Sequence, residues 1–334
     1  MKKTGKVQYL KMSVSSSSSA DRHVCFCSDD RGMTWLRISL YSLLKTADAA
    51  RPLTVHLMTF GTISGENRRL AENLAGKYAF ASVQWHDGDS AMAPYRADLE
   101  RVSNGWNLAC WGRIFIPELL SGIDGNVVYL DTDVLVEKDL EDLYAFDLGE
   151  SALGAARETN GHDGLNFKWA QPAEGNRFYF NSGVLVLGLS NFRRVRGFER
   201  LIDFVRTVKC LDNPDQDALN TVFEHEVKYL HLRWNYTDGW LARQMRFSPQ
   251  DRYWRGVPSR EILEAIAAPG IIHYLGGQHK PWKANHRPER RRYFRAMRDL
   301  GMSVPWCGPS GIVHDLWYAV CRFVAARKLR GLGE

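Results

Sequence analysis

The chain has 334 residues, of which 45% are hydrophobic and 25% charged, with a formal net charge of +6. That is an ordinary globular composition with ample length for a core, and no apolar run approaches the ~20 residues of a membrane span. The charge is lopsided: residues 287–334 hold ten Lys/Arg against four acids, a surplus equal to the whole net charge. A basic tail on a neutral body points to an anionic partner for the tail and away from a nucleic-acid-binding protein.

Residues 1–20 carry Lys2, Lys3, Lys6 and Lys11 ahead of Ser15 to Ser19, with no apolar h-region. They read as a disordered, solvated leader rather than a secretion signal. Six cysteines, at 25, 27, 110, 210, 307 and 321, show no Cys-x-x-Cys spacing and read as reduced thiols in a cytoplasm.

In chain order, Arg22 to Cys27 reads as a first strand, followed by Ser28-Asp29-Asp30 and an amphipathic helix over Met33 to Thr46. Leu53 to Phe60 is a second strand, Ser64 to Tyr78 a helix capped by Ser64, and Ala81 to Trp85 a third strand. Asn107 to Leu120 has helical character that Pro117 allows only in a kinked or segmented form. Val127 to Leu130 is a buried strand, and Ser151 to Ala156 another. Residues 158–177 form a long polar, glycine-containing loop, which predicts a lid. Val184 to Leu189 is a strand preceded by Asn181-Ser182-Gly183. Helices follow at about 190–210 and 214–224, then a short strand at Val227 to Leu232, a helix at Arg260 to Ala267 and the apolar Ile271 to Tyr274. Alternating strands and helices argue for a doubly wound α/β sheet in one domain over residues 21–286, with 287–334 as a basic tail.

The chemistry gathers at the end of one strand. Val127 to Leu130 runs into Asp131-Thr132-Asp133, and on an extended backbone residues i and i+2 point the same way. Two acids at a strand's end repel unless a cation lies between them, and a hard divalent ion with a bound diphosphate meets that need. The alternative is a strand-end turn with solvated acids. Asp87-Gly88-Asp89 and Asp215-Gln216-Asp217 repeat the pattern, but neither is launched from a buried strand, and the second has ordinary helix capping as its plain reading. Asp29 and Asp30 end the first strand on the same rim, where a nucleotide's base and ribose bind; a surface acid pair is the equal alternative. His273, with Gly276, Gly277 and Lys280 after it, reads either as a structural histidine or as a metal ligand with a phosphate-pairing lysine.

Taken in order, Ser-Asp-Asp, Trp-Gly-Arg-Ile-Phe-Ile-Pro-Glu-Leu-Leu, Val-Val-Tyr-Leu-Asp-Thr-Asp, Tyr-Phe-Asn-Ser-Gly-Val-Leu, Asp-Gln-Asp-Ala-Leu-Asn, Arg-Trp-Asn-Tyr and His-Tyr-Leu-Gly…Lys-Pro-Trp resemble the retaining glycosyltransferases of family 8. The resemblance runs from Val24 to Trp282. It implies a GT-A fold, a Rossmann-like mixed sheet with flanking helices, and a UDP-hexose donor with Mn²⁺ or Mg²⁺. It also implies metal ligation by Asp131, Asp133 and His273, and Asp29 facing the nucleoside. Arg113, Gly276 and Lys280 would meet the ribose or diphosphate, and Asn181, Asp215 and Gln216 would surround the donor sugar, with Glu158 as a further contact. The family's bacterial members include lipopolysaccharide galactosyl- and glucosyltransferases, so a glycan or lipid-linked acceptor is expected. Three departures stand out: Arg31 and Gly32 replace an Asn and an aromatic residue, the spacing from Gly276 to Lys280 is one residue longer, and Ser182 replaces an alanine.

A nicotinamide-dependent oxidoreductase would need Gly-x-Gly-x-x-Gly where Cys27-Ser28-Asp29-Asp30-Arg31-Gly32 stands. A nucleotidyltransferase would need a basic, glycine-rich first loop, which is missing. A non-catalytic carbohydrate or membrane-binding protein would not need two acids, a histidine and a lysine converging on one rim. In the tail, Ile312, Val313, Leu316, Trp317, Val320, Phe323 and Val324 recur at helical spacing ahead of Arg327, Lys328 and Arg330. This predicts a basic amphipathic helix on the anionic inner face of a membrane, the alternative being a helix packed on the domain.

Overall fold

The computed structural model describes residues 22–158, 178–237, 259–276, 280–283, 289–306 and 308–331. The expected leader, the lid at 159–177 and the glycine-to-lysine spacing at 277–279 lie outside the described residues.

The first three strands and two helices follow the expected order. Strand β1 (Arg22–Asp29), helix α1 (Met33–Thr46), β2 (Leu53–Phe60), α2 (Gly65–Ala75) and β3 (Ala81–Asp87) form two crossover units that join parallel strands. Ser64 caps α2 by accepting the Asn67 N–H. Helices α3 (Gly88–Met92) and α4 (Arg96–Val102) lead to a 3-10 turn, Leu108–Trp111, and then α5 (Gly112–Leu119), so the Pro117 segment is broken in two. Strands β4 (Asn126–Leu130) and β5 (Val134–Val136) flank the acids, followed by α6 (Glu141–Tyr144), β6 (Leu153–Arg157) and β7 (Phe180–Gly188). Strand β7 therefore contains Asn181-Ser182-Gly183 instead of following it. Helices α7 (Leu189–Arg194), α8 (Gly197–Thr207) and α9 (Pro214–Val222) come next; Arg196, at φ 54°, breaks the expected single helix between α7 and α8. Then follow β8 (Val227–Leu230), a 3-10 turn at Leu232–Asn235, β9 (Tyr236–Thr237), α10 (Ser259–Ala267), β10 (Ile271–His273), α11 (Arg290–Asp299) and α12 (Gly308–Gly331).

The main sheet has the order β3-β2-β1-β4-β7-β6-β8. It is mixed: β7 runs antiparallel to both β4 and β6, while the other pairings are parallel. The chain winds outward from β1 to β3 and then returns to place β4 beside β1, which makes the β1–β4 crevice the switch point where ligands bind such sheets. One face is packed by Leu99, Ile114, Phe115, Leu201, Val205 and Leu219 of α4, α5, α8 and α9. The other is covered by Met33, Leu36, Leu40 and Leu43 of α1 and Leu74 of α2.

A second, three-stranded sheet, β5-β10-β9, sits beside the switch point, with β10 antiparallel to β5 and parallel to β9. Behind it a third cluster joins Ile272 and Tyr274 to Tyr293 and Phe294 of α11 and to Tyr318, Cys321 and Ala325 of α12. The terminal helix is thus seated on the domain by one face. Arg290 pairs with Asp315 at 3.0 Å and Arg322 with Glu289 at 2.6 Å, so part of the tail's positive charge is spent internally. The other face carries Val313, Leu316, Trp317, Val320 and Phe323, all exposed. Among the described residues no helix is long and apolar enough to cross a membrane.

Candidate active site

Asp131-Thr132-Asp133 is the turn between β4 and β5, so each acid belongs to the end of a different sheet. Convergence comes from this turn and not from the expected extended alternation. Pairing then supplies the neighbours. Leu130 lies opposite Val184, which brings the start of β7 to the acids, and the Asp131 N–H donates to the Gly183 carbonyl at 2.8 Å. Val134 lies opposite His273, which brings the imidazole to Asp133.

Asp131, Asp133 and His273 form a group whose donor atoms all lie within 4.8 Å of one another. His273 Nε2 stands 3.2 Å from Asp133 Oδ1 and 3.7 Å from Asp131 Oδ2. The other oxygens are occupied: Asp131 Oδ1 accepts from Arg113 at 2.9 Å and from the Tyr129 hydroxyl at 2.6 Å, and Asp133 Oδ2 pairs with Lys280. Two carboxylate oxygens and one imidazole nitrogen thus face one point, a donor set able to hold a divalent metal ion. Burial pushes the Asp133 carboxyl up, but Lys280 and His273 outweigh it and hold the group well below the usual carboxylate range.

Lys280 also donates to the Tyr274 carbonyl at 2.7 Å. It is anchored by Trp282, whose ring stacks on Trp35 of α1 with centroids 3.9 Å apart. The longer spacing after Gly276 therefore leaves the ammonium in the site, and Gly276 itself has φ 84°, a left-handed turn that glycine adopts without strain.

Arg113, 5% exposed, binds the acids together. Its guanidinium reaches Asp131 at 2.9 Å, Asp215 at 3.1 Å and the Ser182 carbonyl and hydroxyl at 2.6 and 2.8 Å. Burial works against its charge, but Asp131 and Asp215 more than compensate and raise its pKa. Burial lifts the Asp215 carboxyl, with Arg113 opposing. Gln216 accepts the Ser182 N–H at 2.9 Å and donates to the Tyr179 hydroxyl at 3.1 Å. Asn181 donates to Glu158 at 2.8 Å. Asp29, Arg113, Asp131, Asp133, Asn181, Asp215, Gln216, His273 and Lys280 are thus gathered around the β1–β4 switch point.

Asp29 accepts from the Gly32 N–H at 2.8 Å and from Asn107 at 2.7 Å. Asp30 turns away: it accepts from the Ser64 N–H at 2.9 Å and from Asn67 at 2.7 Å, which ties it to the start of α2. The two remaining Asp-x-Asp pairs have structural partners. Asp87 caps α3 through the Ser90 N–H, Asp89 pairs with Arg96, and Asp217 accepts two backbone N–H groups, of Asp212 and Asn213, at 3.0 Å. Sequence reasoning passed over Asn107, Tyr129, Ser182 and Asn235 as site residues, and only the Arg-Trp-Asn-Tyr fragment pointed at the last.

The family model of glycosyl transferase family 8 matches residues 23–286. General stress protein A of Bacillus subtilis is 26% identical over 280 residues, 82% of this chain and 92% of its own length. The lipopolysaccharide 1,2-glucosyltransferase of Escherichia coli is 25% identical over 288 residues, 83% of this chain and 77% of its own. Among solved structures, the galactosyltransferase LgtC in complex with donor and acceptor sugar analogues superposes with a TM-score of 0.65 at 25% identity, covering 86% of this chain and 98% of that one.

Proposed function

The chain belongs to glycosyltransferase family 8, and on that footing we propose that it is a metal-dependent hexosyltransferase. It takes galactose or glucose from a UDP-sugar and passes it, with retention of configuration, to a glycan or lipid-linked acceptor such as a lipopolysaccharide core. The observation that carries this reading is the meeting of Asp131, Asp133 and His273 with Lys280 at the sheet's switch point. Bound there, Mn²⁺ or Mg²⁺ would neutralise the departing diphosphate, the main electrostatic demand of the reaction. Lys280 adds a second positive charge on the same side. Asp29 would face the nucleoside, and Asn181, Asp215 and Gln216, held by Arg113 and Ser182, would orient the donor sugar.

The glucosyltransferase and the galactosyltransferase among the similar proteins support the hexose. The test is a panel of nucleotide sugars with Mn²⁺, reading released nucleotide and the product linkage by NMR. Asp131→Ala and Asp133→Ala should abolish turnover. Undiminished activity of both variants in excess EDTA would sink the proposal.

The seating of α12 supports a place of work. Its exposed face includes Leu316 at 56%, Trp317 at 45% and Phe323 at 62% exposure, followed by Arg327, Lys328 and Arg330. Apolar side chains beside basic ones match an anionic leaflet, so we place the enzyme peripherally on the cytoplasmic face of the membrane, where a lipid-linked acceptor resides.

A further inference from the structure

Four buried polar side chains run in line behind the candidate metal site: His273, Asn235, Asn181 and Glu158, which are 1%, 1%, 5% and 3% exposed. Each touches the next. His273 Nδ1 lies 2.9 Å from Asn235 Oδ1, Asn235 Nδ2 donates to Asn181 Oδ1 at 2.8 Å, and Asn181 Nδ2 donates to Glu158 Oε2 at 2.8 Å. The residues come from separate elements. Asn235 ends the 3-10 turn just before β9, and the parallel pairing of Tyr236 with Ile272 and of Thr237 with His273 sets it beside the imidazole.

The direction of this line is fixed by a backbone group that cannot flip. The Gly183 N–H, a pure donor, points at Asn181 at 3.0 Å, so the Asn181 oxygen must face it. The Asn181 amide nitrogen is thereby left for Glu158. The same Asn181 oxygen faces Asn235, so Asn235 must present its nitrogen there and its own oxygen to His273. An oxygen at 2.9 Å needs a proton on Nδ1 of the imidazole. The neutral ring then carries its lone pair on Nε2, the atom beside Asp133 and Asp131.

We propose that Asn235 is a positioning residue: it holds His273 in the Nδ1–H form with Nε2 open to the metal, and it couples that ligand to Asn181. The proposal rests on the reading of Asp131, Asp133 and His273 as metal-holding and of Asn181 as facing the donor sugar. A cation on Nε2 makes Nδ1–H a stronger donor, and because every link points towards Glu158, the whole line tightens together. A metal held there would therefore stiffen the Asn181 amide.

The test is a Mn²⁺ titration followed by the EPR signal of the free ion, without nucleotide sugar, on wild type, Asn235→Leu and Asn235→Asp, with circular dichroism melts to check folding. Asn235→Leu removes the acceptor and should weaken Mn²⁺ binding about 10- to 100-fold. Asn235→Asp keeps an acceptor for Nδ1–H but loses the donor to Asn181. It should hold Mn²⁺ within about threefold of wild type and instead raise KM for the nucleotide sugar. Wild-type affinity in Asn235→Leu, or equal loss in both variants, would overturn the assignment. A second measurement does not depend on the variants folding. In ¹⁵N-histidine-labelled wild type loaded with Mg²⁺, His273 Nδ1 should carry a slowly exchanging proton, and an unprotonated Nδ1 refutes the proposal. Wild-type protein that takes up no Mn²⁺ at all would overturn the metal reading itself, and the role of Asn235 with it.

Discussion

Gly183 lies hard against the imidazole of His273: a Cβ at position 183 would overlap the ring and stand 2.7 Å from Oδ2 of Asp131. The backbone of β7 can approach the acids because this residue has no side chain. A methyl group must push the ring, the carboxylate or the strand aside, and a displacement of that kind alters the spacing of two metal-facing atoms at once. Gly183→Ala should therefore lose at least about tenfold in Mn²⁺ affinity and in transfer rate. A Mn²⁺ titration with a parallel thermal melt checks this; an unchanged affinity in a folded variant would show that the ring has room.

Lys280 gives a second prediction. One charge-assisted contact to a phosphate contributes about 1.5–3 kcal/mol, so Lys280→Ala should slow transfer at least about tenfold. The rings of Trp282 and Trp35 hold this segment independently of the ammonium, so the fold should survive. Steady-state rates with saturating Mn²⁺ make the comparison, and an unchanged rate would mean that the lysine serves only as a partner of Asp133.

These two residues also show what was legible beforehand. The approximate extent of α1 and the bounds of β2 could be read because amphipathic spacing and a buried run are local signals. The acids at 131 and 133 announced themselves by following such a run. Gly183 and Asn235 could not be valued in the same way. The importance of Gly183 depends on β7 pairing antiparallel to β4, and that of Asn235 on two residues of β9 pairing with β10. Long-range register leaves no mark in a short window. Asp30 illustrates the converse: an acid well placed in sequence is drawn off by Ser64 and Asn67, which only the packing of α2 beside β1 reveals.

A third prediction concerns pH. His23, His56 and His86 face one another across β1, β2 and β3, with His56 Nε2 3.1 Å from His23 Nδ1 and His56 Nδ1 3.0 Å from His86 Nε2. Burial, then the nearness of His86 and His23, depresses the His56 pKa to about 3, and burial lowers that of His86 as well. With folded values below the unfolded one near 6.5, the unfolded chain binds more protons in this range. The stabilisation is complete above pH 6.5 and is lost as pH falls towards 3, by up to about 4–5 kcal/mol for His56. The urea midpoint of wild type should fall steeply below pH 6. His56→Gln should be less stable at pH 7.5 but show a shallower fall, and parallel profiles for the two proteins would remove the histidine line as the cause.

The last prediction concerns α12, and its architecture decides how the test must be made. Cutting the chain after Pro309 would strip Tyr318, Cys321 and Ala325 out of a core cluster, so a truncated protein that failed to bind a membrane would be uninformative. The exposed face can be changed by itself. Leu316→Ser, Trp317→Ser and Phe323→Ser together alter three side chains that are 56%, 45% and 62% exposed and leave the packed face intact. Burying each apolar side chain fully in the acyl boundary is worth about 1.5–3 kcal/mol, and each basic residue at an anionic surface about 1 kcal/mol. Wild type should therefore sediment with phosphatidylglycerol vesicles at low salt. The triple variant should stay in the supernatant while melting at the same temperature and turning over a soluble acceptor at the wild-type rate. If wild type also stays in the supernatant, the apolar face serves some other purpose and the membrane placement is wrong.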